Sequence, residues 1–492
     1  MKKIYLIWPN DISKQSALYP PLGLASIASV MEQRNHEVHV LDLSFDENWS
    51  QLRLLNVEGG IYGISFTSSL YSNTKKCIFT IRRNDKKAQI VLGGPHCSVL
   101  PEETLKEMDA DVICIGEAEH TFPLVVEALQ NNQDLNSIKG IAFRDEQNST
   151  TITPPAVMTR DLDTLPIPDQ SKLPNERYFQ EKGFRELSSI TSRGCPGRCI
   201  FCQPTIKKMF GSKVRYHGID YVLRQIRMLI DDFKLDFFVV SDDTFIFKKR
   251  RALEFCQKMT SEQIRIFWRC QTRVDLLDRE IIRMLKKAGC FVIAFGVESG
   301  SQDILNDLRK GITVEKIKEV FKICHEEGML THAYLMIGNI GESPKTIADT
   351  RRLLEEIKPF SSNICVTTPY PGTYLYEKLE KDGLIKNESW DCYDHLISNT
   401  IHINTSNLDL ATLNEYKNVL MNAQKYPIFK IKCLCKAFLN RDSILRLINV
   451  LWSNPGILFR GLRLFFKSIY SKGLDLSNPK TKAYEIYSES EH

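Results

Sequence analysis

The stretch 192-SRGCPGRCIFCQP-204 places Cys195, Cys199 and Cys202 within eight residues, directly after an apolar, strand-like run, 186-ELSSITS-192. Gly194, Pro196 and Gly197 keep the segment irregular, so three thiols can converge on one point. A structural zinc site usually takes four protein ligands. Three cysteines therefore raise the question of what fills the fourth position.

Soft thiolates suit iron–sulfur clusters, and three of them can hold three corners of a 4Fe–4S cube. The fourth iron is then open to a small molecule, as open positions mark reactive metal sites. Two other readings stay open at this point. One is a zinc ion completed by a distant His217, and the other is three unrelated buried thiols.

Working outward, the pattern downstream alternates strand and helix. Strand runs are 236-DFFVVSDD-243, 264-IRIFWRCQT-272, 290-CFVIAFGVES-299, 331-THAYLMIG-338 and 363-NICVTTPY-370, separated by helical stretches such as 278-DREIIRMLKKAG-289. With 186–192 this makes six βα units. Eight would close a full barrel, so the spacing predicts a partial (βα)6 barrel with chemistry at the carboxyl ends of its strands. Upstream, residues 1–145 alternate likewise through "KIYLIWP", "EVHVLDL", "IYGISF", "QIVLGG" and "DVICIGE". That pattern predicts a doubly wound, Rossmann-like parallel sheet. The overall fold class is α/β. Residues 146–184, rich in Pro, Thr and Asp, read as a linker, 185–404 as the barrel, and 405–492 as a helical C-terminal region.

Composition narrows the class. The chain has 492 residues, 43% of them hydrophobic, and a net charge of +5 from 65 basic and 60 acidic residues. That balance gives no electrostatic case for nucleic acid. No signal-peptide pattern or span of 18 apolar residues stands out, so a cytoplasmic setting is expected. Of the 14 cysteines, Cys77, Cys114, Cys256, Cys290, Cys324 and Cys365 fall in apolar runs and read as core residues.

C-x3-C-x2-C with Phe201 before the last cysteine resembles the signature of the radical S-adenosylmethionine superfamily. The stretches "SDDTF", "GVESGS", "IGNIGES" and "PYPGT" resemble its S-adenosylmethionine contact regions. "YPPLGLASIASVMEQRNHEVHVLD", "GGPHCSVLPEETL" and "DVICIGEAEHTF" resemble its cobalamin-binding domain. The resemblance covers about residues 1–400. It implies that Cys195, Cys199 and Cys202 ligate a 4Fe–4S cluster whose fourth iron is chelated by S-adenosylmethionine. Phe201 would lie near the adenine, Asp242 would take the methionine amine, and Arg273 the methionine carboxylate. Glu298 and Ser299 would bond the ribose, while Gly338, Ile340, Gly341, Tyr370 and Pro371 would border the adenine. Around the corrin and its nucleotide tail it implies Leu22, Gly23, Thr67, Ser68, Ser69, Gly93, Gly94, His96, Gly116, Glu117 and Glu119. No D-x-H-x-x-G occurs in the chain, so cobalt would lack the lower histidine of methionine-synthase-like domains. His96 is expected at the cofactor's periphery or as an orienter of its loop.

The function so implied is radical C-methylation of an unactivated carbon of a small molecule, a lipid, tetrapyrrole or secondary metabolite, in an anaerobic or oxygen-protected setting. A one-electron reductant such as flavodoxin or ferredoxin would serve it. The alternatives are cobalamin-dependent cyclisation or oxidation, as in the anaerobic magnesium-protoporphyrin ester cyclases, and tRNA methylthiolation. The last fits poorly, because the further N-terminal cluster cysteines are not spaced for it. The basic, apolar "LRLINVLWSNPGILFRGLRLFFKSIY" (445–470) reads as a helical cap over the open barrel side, or as a peripheral membrane contact.

Overall fold

The computed structural model describes residues 2–9, 19–46, 49–55, 57–202 and 208–385, then 390, 393, 405, 406 and 408–423, and a few positions between 430 and 436. The stretch 445–470, expected to be a helical cap or a peripheral membrane contact, lies outside the described residues.

The N-terminal sheet is built from β1 (Ile4–Trp8), β2 (Val38–Asp42), β3 (Ile61–Ser65), β4 (Gln89–Gly93), β5 (Val112–Cys114), β6 (Ile141–Arg144) and β7 (Thr150–Ile152), in spatial order β2-β1-β3-β4-β5-β6-β7. The first five strands are parallel; β6 and β7 add antiparallel. The alternation along β1 shows why the sheet forms. Ile4 and Leu6 pack on one face with Leu24, Met31 and Phe122, whereas Tyr5 and Ile7 pack on the other with Cys77, Ile78 and Leu105. A strand apolar on both faces must be covered on both. The helices Leu22–Gln33 and Thr121–Asn131 cover the first face, and Tyr71–Asn84 the second. Strand β7 falls in the stretch expected to be linker. Its Thr-Thr-Ile run is too short to show a period, and pairing with β6 alone makes it a strand.

The second sheet has β8 (Glu186–Ser189), β11 (Phe237–Val240), β12 (Phe267–Thr272), β13 (Cys290–Glu298), β14 (Leu330–Ile337) and β15 (Ser361–Val366), all parallel and paired in sequence order. These are the six expected strands. Between β8 and β11 a two-stranded antiparallel clip intervenes, β9 (Ser192–Arg193) and β10 (Arg215–Tyr216). The connecting helices bury one large core against the sheet. Within it Trp268 is fully buried, edge-on to Phe245 and Phe255, and its indole N–H donates to the Ala288 carbonyl at 3.0 Å. Among the described residues no helix is long and apolar enough to cross a membrane.

The segment between the sheets binds both. Tyr178 Oη donates to Asp42 at 2.6 Å, at the end of β2, and the Gln170 amide donates to Ser188 O at 2.9 Å, on β8. Asp42 is buried, and burial pushes its carboxyl up. Removing a donor from such a group leaves part of its desolvation uncompensated. Tyr178→Phe should lower unfolding free energy by about 1–3 kcal/mol in a denaturant titration. An unchanged midpoint would mean that Ser44 alone satisfies the carboxylate.

Candidate functional site

The cysteine loop begins and ends at the β9–β10 clip. Asp242, just beyond β11, anchors its base. The fully buried carboxylate accepts from Thr191 N, from Thr191 Oγ1 (2.6 Å), from Ser192 N (3.0 Å) and from Ser192 Oγ (2.7 Å). Arg251 donates to the carbonyls of Thr191 (3.1 Å) and His217 (3.0 Å). Gly194 turns the chain into the loop at φ +92°, and a Cβ there would lie 2.8 Å from Gly211 O. Only glycine fits both the angle and the space.

Beyond this turn, Cys195, Cys199 and Cys202 line one cavity of about 410 Å³. A Cβ on Gly197 would lie 3.3 Å from Cys195 Sγ and 4.0 Å from Cys199 Sγ, so the bare glycine lets two sulfurs sit over the backbone. Among the described residues no three His, Cys, Asp or Glu side chains gather around a single-ion site. His217 stacks on Tyr221 and bonds Asp163 at 3.0 Å; it does not complete the cysteine set. Burial pushes the Cys199 thiol up and Cys202 up to about 12. A coordinated metal reverses that preference, so loading would release protons. The donor set and the shared cavity fit a cluster with one thiolate per iron and an open corner.

The opposite wall is polar. Glu298, at a bulge where β13 shifts register against β14, has φ +63° and pairs with Lys310, Oε1 to Nζ 2.6 Å. Both side chains are about a tenth exposed or less. A Cβ on Gly296 would lie 2.5 Å from each of Glu298 Oε1 and Lys310 Nζ, so this pair needs a glycine beneath it. Phe201, Arg273 and Tyr370 also line the cavity. Arg273 reaches it while held by Asp275 (2.9 Å) and Gly311 O (3.3 Å). Phe201 and Ile340 pack against one small apolar cluster with Ile200, Ile304 and Leu308, and Pro371 is buried beside Tyr370.

Other expected residues point elsewhere. Asp242 holds the loop base, and its neighbours Asp243 and Thr244 face the cavity instead. All three lie beyond the end of β11, where strand alternation no longer sets side-chain direction and the chain turns Asp242 away from the cavity. Ser299 is buried against Thr350 (3.2 Å) rather than open to the cavity. Gly338, at φ +84°, donates its N–H to Glu342, and Gly341 is likewise left-handed at φ +77°. Burial pushes Glu342 up to about 7. Cys365, expected in the core, lines the cavity. Lys310 was not legible in the sequence.

In the first sheet, the order β2-β1-β3-β4-β5 puts the topological switch between β1 and β3, where such folds bind ligands beyond the strand ends. Leu22 and Gly23 follow β1, and Thr67, Ser68 and Ser69 follow β3. A Cβ on Gly23 or on Gly116 would meet nothing within 4 Å, whereas at Gly94 it would lie 2.8 Å from Phe66 O, which holds the Gly93–Gly94 turn against β3. The open backbone at this crevice fits a large planar ligand. His96 accepts or donates to Ser68 Oγ at 2.9 Å and packs against Phe66, Tyr71 and Trp390. Burial lowers it to about 4, so it is neutral at pH 7.

Glu117 and Glu119 meet arginines rather than an open crevice. Arg193 bridges Glu117 (3.1 Å) and Glu119 (2.6 Å), and Arg215 pairs with Glu117 (2.7 Å). Burial raises the Glu119 carboxyl, but Arg193 and Ser26 outweigh it and the net shift is downward from 4.5. A depressed folded-state value adds stability above the ordinary carboxylate range and loses it as pH falls through the folded value. Below pH about 4.5 the wild type should therefore lose stability more steeply than Glu119→Gln in parallel denaturant titrations; equal slopes would contradict the pairing. Lys310→Met should cost about 3–5 kcal/mol by stranding Glu298, and Lys310→Met with Glu298→Gln distinctly less. Additive losses would show the two side chains to be uncoupled.

Comparison with known proteins finds matches to both of these regions. The B12 binding domain model matches residues 13–126 and the Radical SAM superfamily model residues 189–354. An uncharacterized methyltransferase of Pyrococcus horikoshii is 29% identical over 76% of this chain and 81% of its own length. An anaerobic magnesium-protoporphyrin IX monomethyl ester cyclase of Rubrivivax gelatinosus is 24% identical over 87% of this chain and 80% of its own. The fold matches that of the radical S-adenosylmethionine methyltransferase TsrM from Kitasatospora setae, with cobalamin and a [4Fe-4S] cluster bound. The TM-score is 0.68 at 18% identity, over 79% of this chain and 76% of that one.

Proposed function

The chain belongs to the radical S-adenosylmethionine enzymes that carry a B12-binding domain, and from that premise we propose that it methylates an unactivated carbon of a small-molecule substrate. The cofactors of that class are a 4Fe–4S cluster, S-adenosylmethionine and cobalamin. Together, when bound, they supply one-electron cleavage of S-adenosylmethionine and a methyl carrier. The protein's part is binding, orientation and exclusion of water.

One observation carries the reading: three thiols, a buried Lys310–Glu298 pair and Arg273 share a single cavity. In this proposal Cys195, Cys199 and Cys202 hold three corners of the cluster. Glu298 and Lys310, with Asp243 and Thr244, receive the polar end of S-adenosylmethionine, because charged partners in a dry site bind amine and carboxylate strongly. Phe201, Ile340, Tyr370 and Pro371 give the apolar side for its adenine. Leu22, Gly23, Thr67–Ser69, Gly93, Gly94, His96 and Gly116 border the corrin. Hydrogen-atom removal needs no general base; of the acids lining the cavity, Glu298 is paired with Lys310, while Asp243 faces the cavity with its carboxyl pushed up to about 6 by burial and by Asp242.

Anaerobic incubation with reductant, methyl-labelled S-adenosylmethionine and a small-molecule extract of the source cells should yield a product carrying the label. S-adenosylhomocysteine and 5′-deoxyadenosine should form alongside it. 5′-Deoxyadenosine without S-adenosylhomocysteine would overturn methyl transfer and favour the second reading, cyclisation, which the match to a cyclase over 87% of the chain supports. Replacing all three cysteines with Ala should abolish iron binding and the cluster's visible absorbance. Retained iron and activity would overturn the cluster assignment.

A further inference from the structure

Glu117 and Glu119 lie just after Gly116, at the carboxyl end of β5, in the loop that borders the B12-side crevice. Arg193 lies two residues before Cys195. The two loops meet through a buried network. Arg193 Nη1 donates to Glu117 Oε1 at 3.1 Å, and its Nη2 to Glu119 Oε1 at 2.6 Å. Arg215, across the clip from Arg193, forks onto Glu117 at 2.9 and 2.7 Å and also donates to Thr159 O and Phe210 O. Glu119 accepts in addition from Ser26 Oγ (3.0 Å), three residues past Gly23. The side chains are between 6 and 11% exposed.

We propose that the Arg193–Glu117–Glu119–Arg215 network is a positioning device that sets the placement of the cluster loop against the cobalamin-binding loops. The inference rests on the two-cofactor reading above and assigns to Glu117 and Glu119 a task other than touching the corrin.

Three features support it. Two carboxylates face two guanidiniums, so the network is charge-balanced and its planar forks fix direction as well as distance. Only Gly194 separates Arg193 from Cys195, and the carbonyls of Gly211 and Lys213 crowd that glycine so closely that no Cβ would fit. A shift of Arg193 is thus passed to the first cluster cysteine. Finally, the two domains have other ties. Tyr178 with Asp42, Asp169 N with Ser29, and Lys172 with Glu32 hold the linker segment to the first domain, and Gln170 donates to Ser188 O in the second. Loss of the network therefore leaves the domains docked and acts on loop placement.

The test uses full-length protein reconstituted with cluster and cobalamin. The distance between reduced cluster and cob(II)alamin is read from their dipolar coupling by pulsed electron paramagnetic resonance, without turnover. Arg193→Lys keeps the charge but loses the fork, and Glu119→Gln keeps the shape but loses the charge. Each should retain iron and cobalamin yet broaden or shift the distance distribution by about 1 Å, the scale of misplacement that costs a positioned reaction roughly a hundredfold. Tyr178→Phe, which breaks a tie elsewhere, should leave the distribution as in wild type. Unchanged distributions in both network variants would overturn the proposal, as would equal broadening in Tyr178→Phe. Should one network variant lose a cofactor, the other decides. A wild type that binds cluster but no cobalamin, or the reverse, refutes the two-cofactor reading and the proposal with it.

Discussion

The buried carboxylate of Asp242 is the contact on which the rest of the site depends. A loop that must present three thiols to a cavity cannot also satisfy its own backbone through regular structure. Its base has to be pinned from outside. Asp242 takes up Thr191 and Ser192 through backbone and side chain, Arg251 takes up the Thr191 carbonyl, and the β9–β10 clip closes the neck. Glycines at 194 and 197 then permit the turn and the approach of the sulfurs. Rigidity at the base is what allows irregularity at the tip.

The same logic of burial with compensation recurs across the cavity. Lys310 and Glu298 are too buried to stand alone, and each makes the other tolerable. A pair of this kind adds little stability beyond its own desolvation cost. Its positive-φ glutamate and the glycine needed beneath it are expensive local features. Such strain persists where the surroundings over-determine it, which is typical of ligand sites. The cavity therefore combines a soft, thiol-lined wall with a charged one, a pairing suited to holding a metal cluster and a zwitterionic cosubstrate side by side.

Much of this was legible in the sequence. The six barrel strands and the five parallel strands of the first sheet follow from apolar runs bounded by Gly, Ser and Asp, because strands buried on both faces need such runs. That Phe201 and Glu298 share a cavity with the three cysteines was also readable, since all lie in loops or at strand ends on one side of the sheet. What escaped depends on direction or distance in space. Asp242 and Asp243 are neighbours with opposite orientations, and no pattern shows which faces in. Lys310 reaches Glu298 from beyond the next helix. Glu117 and Glu119 sit in the loop a cofactor would border, yet arginines 74 to 98 residues away in the chain take them. A hint was present in complementary charge, two acids in "GEAE" and an arginine in "SRGC", but only tertiary structure pairs them.

The central claim is that three cysteines hold a four-iron cluster with one corner left for S-adenosylmethionine. Mössbauer spectroscopy of the anaerobically reconstituted protein tests it most directly. Adding S-adenosylmethionine should shift the signal of a single iron site while the rest stay unchanged. A spectrum in which no iron responds, or in which all respond alike, would contradict the account.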